Sequence, residues 1–150
     1  MGAASAQFSL QINREWALKE QEIGEFVQEV ALAALTGVVQ MSPVGNPSLW
    51  KNPSSGRGYV GGRFRGNWGV SIGAPLSTVS AEIDPDGGAT IARGQAVIES
   101  YPQGDYPVLY LQNNLPYSLV LETGHSTQAP SGMVGITVAN VESFYASRQI

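Results

Sequence analysis

The sequence predicts an α+β protein with a long N-terminal helix, a small sheet of two to four strands, and shorter helices that include a C-terminal one. Three observations predict this class: apolar residues recur at helical spacing from Arg14 to about Gln40, short strand-like segments follow, and the chain closes on a second helical pattern. The 150 residues suit a single domain, 1–150. We divide it into a long-helix region at 8–42, an extended loop at 43–62, and a small sheet with helices at 63–150.

The first element is the long helix. Residues Phe8–Ile12 alternate apolar and polar side chains, which predicts a short strand or extended lead-in, and Asn13 is a good helix N-cap. The helix then runs to Ser42–Pro43, where proline lacks the backbone donor and restricts the residue before it. The part from Val30 to Val39 is apolar nearly all round. We interpret it as a core helix, with a subunit interface as an alternative that is compatible with it.

A loop of about twenty residues follows, from Pro43 to Gly62, rich in glycine, proline, serine and asparagine. Loops of this length inside a compact domain are usually functional or disordered. Trp50 and Tyr59 are unusual in a plain flexible linker. We therefore expect a loop that orders against a partner.

The sheet and its helix come next. Trp68, Val70 and Ile72 alternate as in a half-buried strand, and Ser77–Ile83 extends that strand or pairs with it. A turn at 84–88 precedes a short helix from Ala89 to about Tyr101, and 108–112 is a compact second strand.

The segment 113–133 combines turn residues, a short apolar run and the only histidine. Pro116 suits the first turn of a short helix that reaches Glu122, and Gly124 can end that helix in the left-handed conformation. A closing helix runs from Met133 to about Arg148. Such a segment is either a surface that contacts a partner or the mouth of a site.

Composition limits the function. The net charge is −4, which argues mildly against a nucleic-acid binder, and charged residues make up 13% of the chain where about 25% is usual. Scarce charge favours a surface largely covered by other subunits. The chain has no cysteine and no apolar stretch that could span a membrane. We expect a soluble protein on the cytoplasmic side of its host, or in a particle assembled there.

Three arginines, Arg57, Arg63 and Arg65, lie just before the first strand in a glycine-rich stretch with aromatic residues. Such a stretch can contact phosphates. In an acidic protein, the favoured interpretation is that these arginines pair with carboxylates of the same or a neighbouring subunit.

Catalytic chemistry is not indicated. His125 is the only histidine, Ser126 beside it lacks the geometry of a nucleophile and its base, and the acidic residues have no metal-ligand spacing. Neither a dinucleotide fingerprint nor a Walker pattern is present. We predict no enzyme activity, no cofactor and no metal, with His125 as a contact residue.

Three stretches carry a further pattern: Val38–Val44 (Val-Val-Gln-Met-Ser-Pro-Val) at a helix end, Gly61–Trp68 (Gly-Gly-Arg-Phe-Arg-Gly-Asn-Trp) before a strand, and Asn113–Met133. Together they resemble the neck or tail-completion proteins of long-tailed bacteriophages, the group that includes minor tail protein Z of lambda-like phages. The resemblance covers 8–148, and its last stretch is the most specific. In that family an Asp-Thr-Gly-Arg turn often follows the proline almost directly, whereas here Gly45–Tyr59 lies between.

The resemblance implies a non-enzymatic virion protein, assembled in the host cytoplasm. It implies a ring of six copies, or a multiple of six, between the head connector or stopper and the tail terminator or tail tube proteins, with no membrane contact. A ring protein that contacts DNA in its channel through the arginine-rich loop is the alternative. By family position, the residues expected to contact neighbours are Arg63, Phe64, Arg65, Trp68, Tyr117, Glu122, His125 and Met133. Phe64, Trp68, Tyr117 and Met133 would be apolar anchors, and Arg63, Arg65 and Glu122 would form polar pairs.

Overall fold

The computed structural model describes residues 3–148. It has an α+β fold, as predicted. The elements, in chain order, are α1 (Ala3–Met41), α2 (Arg63–Gly66), β1 (Trp68–Ile72), α3 (Gly88–Glu99), β2 (Leu109–Asn113), α4 (Ser118–Glu122) and α5 (Val134–Tyr145), with 3₁₀ turns at Pro47–Leu49 and Pro53–Gly56.

Helix α1 contains 39 residues, which corresponds to about 58 Å at 1.5 Å per residue. The predicted strand at Phe8–Ile12 and the N-cap at Asn13 are wrong, because both lie inside this helix. Phe8 and Ile12 are also four residues apart, which is helical spacing, so five alternating residues do not separate the two structures. Local side-chain bonds support the helix here: Trp16 Nε1 donates to Glu20 Oε1 at 2.8 Å.

The two halves of α1 differ in burial. Residues 4–19, which we call the arm, are all exposed, although they include large apolar side chains. These are Phe8, Leu10, Ile12, Trp16 and Leu18. From residue 24 onwards the helix carries the buried residues Ala31, Leu35, Val38 and Val39. The predicted core helix is therefore confirmed for the second half of α1.

Strands β1 and β2 form an antiparallel two-stranded sheet, with Trp68 opposite Asn113 and Ile72 opposite Leu109. The sheet has the smallest size in the predicted range. Segment 77–83 is not a strand, so that prediction is wrong. Side chains of other segments bond to its backbone instead: Asn114 donates to the Thr78 carbonyl at 3.2 Å, and the Ser80 N–H donates to Asn67 Oδ1 at 2.8 Å.

The shorter helices begin and end close to their predicted positions. Helix α3 starts beside Asp84, whose carboxylate accepts from the Gly87 and Thr90 backbone N–H groups and from the Thr90 hydroxyl at 2.7 to 3.0 Å. Helix α5 crosses α1 where a Cβ on Gly37 would lie 2.7 Å from the Thr137 methyl, so only glycine allows this approach.

One hydrophobic cluster holds these elements together. Its buried members come from α1, α2, β1, α3 and the 115–133 segment, and are Ala31, Leu35, Val38, Val39, Phe64, Trp68, Val70, Ile98, Leu115, Ala129 and Met133. Among residues 3–148, no helix combines the length and the apolar character that crossing a membrane requires.

Candidate interface site

A cleft of about 440 Å³ lies between the 43–62 loop and the 117–128 segment. Apolar and aromatic side chains of both segments line it, together with backbone around Gly45 and Gly62. Among the lining residues are Leu49, Trp50, Tyr59, Arg63, Phe64, Tyr117, Leu121, His125 and Gln128. Two features that the sequence suggested separately, the long loop and the histidine segment, thus form one site, which we call the loop cleft.

The loop is held by contacts to its own chain. Its two ends meet at the base, where a Cβ on Gly61 would lie 2.1 Å from the Gly45 carbonyl oxygen. The Trp50 and Tyr59 rings pack with centroids 5.2 Å apart. Across the cleft, the Gln128 amide accepts from Val44 N at 3.0 Å and donates to Val44 O at 2.8 Å.

Four of the predicted contact residues, Arg63, Phe64, Tyr117 and His125, line the loop cleft. Arg63, Tyr117 and His125 are exposed, whereas Phe64 is buried. Burial is the main cause that raises the pKa of the Tyr117 phenol, with the charge of Arg63 opposing it. The mouth of the cleft therefore combines a cation, a phenol and an imidazole.

Arg65 has a different role from the one predicted. Its guanidinium donates to three backbone carbonyls of its own chain: Pro85 at 2.6 Å, Ser42 at 2.7 Å and Gln40 at 3.2 Å. Two of these carbonyls end α1, where a cation also complements the helix dipole. Arg65 therefore ties the end of α1 to the turn before α3, and polar pairing with a neighbour through this guanidinium is not supported.

The predicted anchors Phe64, Trp68 and Met133 are core residues. All three are buried within this chain, with Met133 only 1% exposed, so the structure gives them a role in the chain's own core and does not support them as exposed anchors for a neighbouring subunit. Trp68 Nε1 donates to Ser42 Oγ at 2.7 Å, and Ser42 Oγ donates to the Val38 carbonyl at 2.6 Å. The tryptophan that starts β1 thus fixes the serine that ends α1.

Glu122 is a helix cap. Its carboxylate accepts from the backbone N–H groups of Met133, Val134 and Gly135 at 2.9 to 3.0 Å, at the start of α5. Burial by itself would raise the pKa of Glu122, but these three donors outweigh it and lower the pKa below its ordinary value. The carboxylate that the sequence assigned to a neighbour closes the 123–133 loop instead.

The same loop depends on two left-handed glycines. Gly124 has φ +90°, as predicted, and Gly132 has φ +77°. A Cβ on Gly124 would lie 2.3 Å from the Pro130 carbonyl oxygen, and one on Gly132 would lie 2.3 Å from that of Glu122. The loop is therefore closely packed and can present His125 and Gln128 at a defined place.

The favoured pairing of the three arginines with carboxylates is not found within the described chain. The salt bridges between residues 3 and 148 are Lys19–Glu22 and Arg148–Glu29. Arg57 and Arg63 are exposed, so only Arg65 of the three is held by its own chain.

Among the described residues, no group of three or more His, Asp or Glu could hold a metal ion. Sequence reasoning missed the roles of Ser42 and Gln128, because tertiary folding brings their partners Trp68 and Val44 near; the helix-ending Ser-Pro was the one available signal. It also missed the local bonds that Asp84 accepts at the start of α3. Comparisons with protein-family models, characterised proteins and solved structures gave no match to this chain.

Proposed function

We propose that this chain is a non-enzymatic structural protein of the bacteriophage neck, forming a homo-oligomeric ring that completes the tail at the head–tail joint. The observation that carries the proposal is the arm. Sixteen consecutive helical residues, 4–19, are exposed, and Phe8 and Trp16 are each 65% exposed. A chain with so much uncovered apolar surface is expected to bury it against other subunits.

The resemblance supplies the kind of assembly. The three stretches that carry it meet in the fold: Trp68 bonds to Ser42, and Asn113 Nδ2 donates to the Phe64 carbonyl at 2.9 Å. The stretches that carry the resemblance are far apart in the sequence but contact one another in the fold. The partners would be further copies of the chain, the head connector or stopper, and the tail terminator or tail tube proteins, with the loop cleft as a contact surface.

Electron microscopy and mass photometry of the purified chain, alone and with the connector and tail proteins of its phage, test this proposal. We expect rings of six copies or a multiple of six, or rings that assemble when the partners are added. In the assembled virion the subunit should be located at the neck. A strict monomer that binds neither connector nor tail would contradict the proposal.

A second candidate is a ring protein that contacts DNA in its channel. Its support is that Arg57 and Arg63 are exposed and have no carboxylate partner among residues 3–148. Salt-dependent DNA binding that is lost in Arg57→Ala and Arg63→Ala would support it, since phosphate contacts release counterions. Arg14→Ala, in the exposed arm, is the matched control. Binding that is absent at low salt would exclude this candidate.

A further inference from the structure

The arm has a continuous apolar stripe on one side. Phe8, Ile12 and Trp16 are spaced four residues apart, so they lie on one face of α1, and Ile23 continues that face two turns further on. In proteins, most helical stability comes from tertiary packing of an apolar face rather than from intrinsic propensity. The stripe therefore needs a cover that the described part of the chain does not supply.

A groove on the same molecule matches this stripe. It lies between the second half of α1 and strand β2, has a volume of about 330 Å³, and is lined only by apolar residues. They are Phe26, Val27, Val30, Ala31, Ala34, Leu109 and Leu111. Val27, Val30 and Ala34 continue the arm's stripe at helical spacing. The α1–β2 groove and the stripe therefore occupy one face of a single uninterrupted helix. Neither can cover the other within one chain.

We propose that the arm of one copy of this chain lies in the α1–β2 groove of a second copy. Head-to-tail use of an arm and a groove is a heterologous contact, which closes into a ring when the rotation between copies allows it. The inference rests on the self-association that the proposed function requires, and it is independent of the phage role.

Charge favours the same pairing. The arm carries Arg14 and Lys19 against the single carboxylate of Glu15. Residues 20–29, which flank the groove, carry four glutamates, Glu20, Glu22, Glu25 and Glu29, and no lysine or arginine. Glu22 is paired with Lys19 and Glu29 with Arg148, so Glu20 and Glu25 are the two without an ion-pair partner among residues 3–148. A net positive arm therefore approaches a net negative helix segment, which steers association.

The exposed side chains of the arm set the area of this contact. With Phe8 and Trp16 each 65% exposed and Ile12 49% exposed, covering these three side chains removes roughly 400 Å² from water, given 150–250 Å² for a buried aromatic residue. The groove of the second copy loses a similar area, so one arm–groove contact buries roughly 800 Å² in total, about half of a standard interface, and each copy in a ring makes two such contacts. The occupant that the groove's apolar lining and the surrounding charge fit is thus a second copy.

Disulfide mapping tests the contact directly, because the natural chain has no cysteine. A tagged Ile12→Cys or Trp16→Cys variant is mixed with untagged Val30→Cys and oxidised, and mixed disulfides are quantified by mass. Leu10→Cys is the matched control: it is an equally exposed apolar residue of the arm that points away from the stripe. We expect at least tenfold more mixed disulfide with a stripe position than with position 10.

A second measurement guards against effects of the introduced cysteines. Trp16→Asp should weaken self-association at least tenfold by sedimentation or mass photometry, and Leu10→Asp less than twofold. If the chain forms rings but stripe and control positions behave alike, the arm–groove contact is overturned and the proposed function stands. If the chain stays a monomer, alone and with its phage partners, the arm–groove contact and the proposed function are both overturned.

Discussion

The two halves of α1 belong to one uninterrupted helix, yet they differ in what surrounds them. Leu35 is fully buried and packs against α3 and β1, whereas Trp16, nineteen positions earlier in the same helix, is 65% exposed. Both halves carry apolar residues at helical spacing. An apolar stripe thus indicates that one face of a helix requires burial, but the rest of the fold determines whether the same chain buries that face.

The largest expected difference between the halves is in stability. Leu35→Ala should lower the free energy of unfolding by about 2–5 kcal/mol, because it leaves a cavity in the core. Ile12→Ala in the arm should change it by less than about 0.5 kcal/mol. Urea denaturation at low protein concentration measures both. Equal losses would show that the arm is packed in the monomer, and would break the comparison.

A smaller effect is expected where α3 meets the buried half. A Cβ on Gly94 would lie 2.4 Å from Leu35 Cδ2 and 3.1 Å from Val70 Cγ2, so Gly94→Ala should cost about 1–3 kcal/mol through overpacking. Gly88→Ala, in the same helix with no neighbour within 4 Å, should be neutral or slightly stabilising. The melting temperatures of the two variants measure the difference. A stable Gly94→Ala protein would mean that this helix contact is loose.

Stability at the C-terminal end of α1 depends on the hydroxyl group of Ser42. Ser42→Ala removes the acceptor of the buried Trp68 indole N–H, and an unsatisfied buried donor costs about 1–3 kcal/mol. Ser100→Ala is the control, since its hydroxyl bonds to the Val97 carbonyl at an exposed position. Denaturant midpoints should separate the two variants. Similar midpoints would indicate that a water molecule accepts the Trp68 indole N–H in place of the Ser42 hydroxyl.

The smallest expected effect on stability concerns the cap of α5, the helix that packs on the buried half. It is also the only one that depends on pH. Glu122→Gln should lower the free energy of unfolding by about 1 kcal/mol at neutral pH, as for other lost helix caps. Because the folded pKa of Glu122 is lowered, its contribution is present above the ordinary glutamate pKa and is lost as the pH falls through the folded value.

Variant and natural chain should therefore converge in stability under acid, as thermal melts over a pH series would show. Glu142→Gln, at an exposed position of α5, is the control and should show a smaller difference. A gap that persists at acid pH would mean that the Glu122 side chain acts through packing and not through its charge.

Sequence patterns predicted the elements whose conformation depends mainly on residues close to them in the chain. The strand predicted at 108–112 is Leu109–Asn113, and Gly124 is left-handed as expected. In contrast, 77–83 has strand-like composition but is held by asparagine side chains from other segments. No sequence pattern reports such bonds, because they form only after the sheet and its neighbouring loops have come together.

The candidate site was predictable in part. Arg63, Tyr117 and His125 do lie on one exposed cleft, but Trp68, Met133 and Glu122 resemble contact residues in sequence while serving the core and a helix cap. Residue type indicates that a side chain needs a partner. It does not indicate whether that partner belongs to the same chain, and this is why interface and core candidates were confused.

The contact between Gly45 and Gly61 gives the long loop an unusual freedom. Because the two ends already touch, the chain from α1 to α2 could be joined there directly, and 46–60 could change in length or sequence without displacing either helix. The loop is thus an exchangeable module set at the mouth of the loop cleft. Variation confined to this module would alter what the cleft accepts while leaving the fold that carries it unchanged.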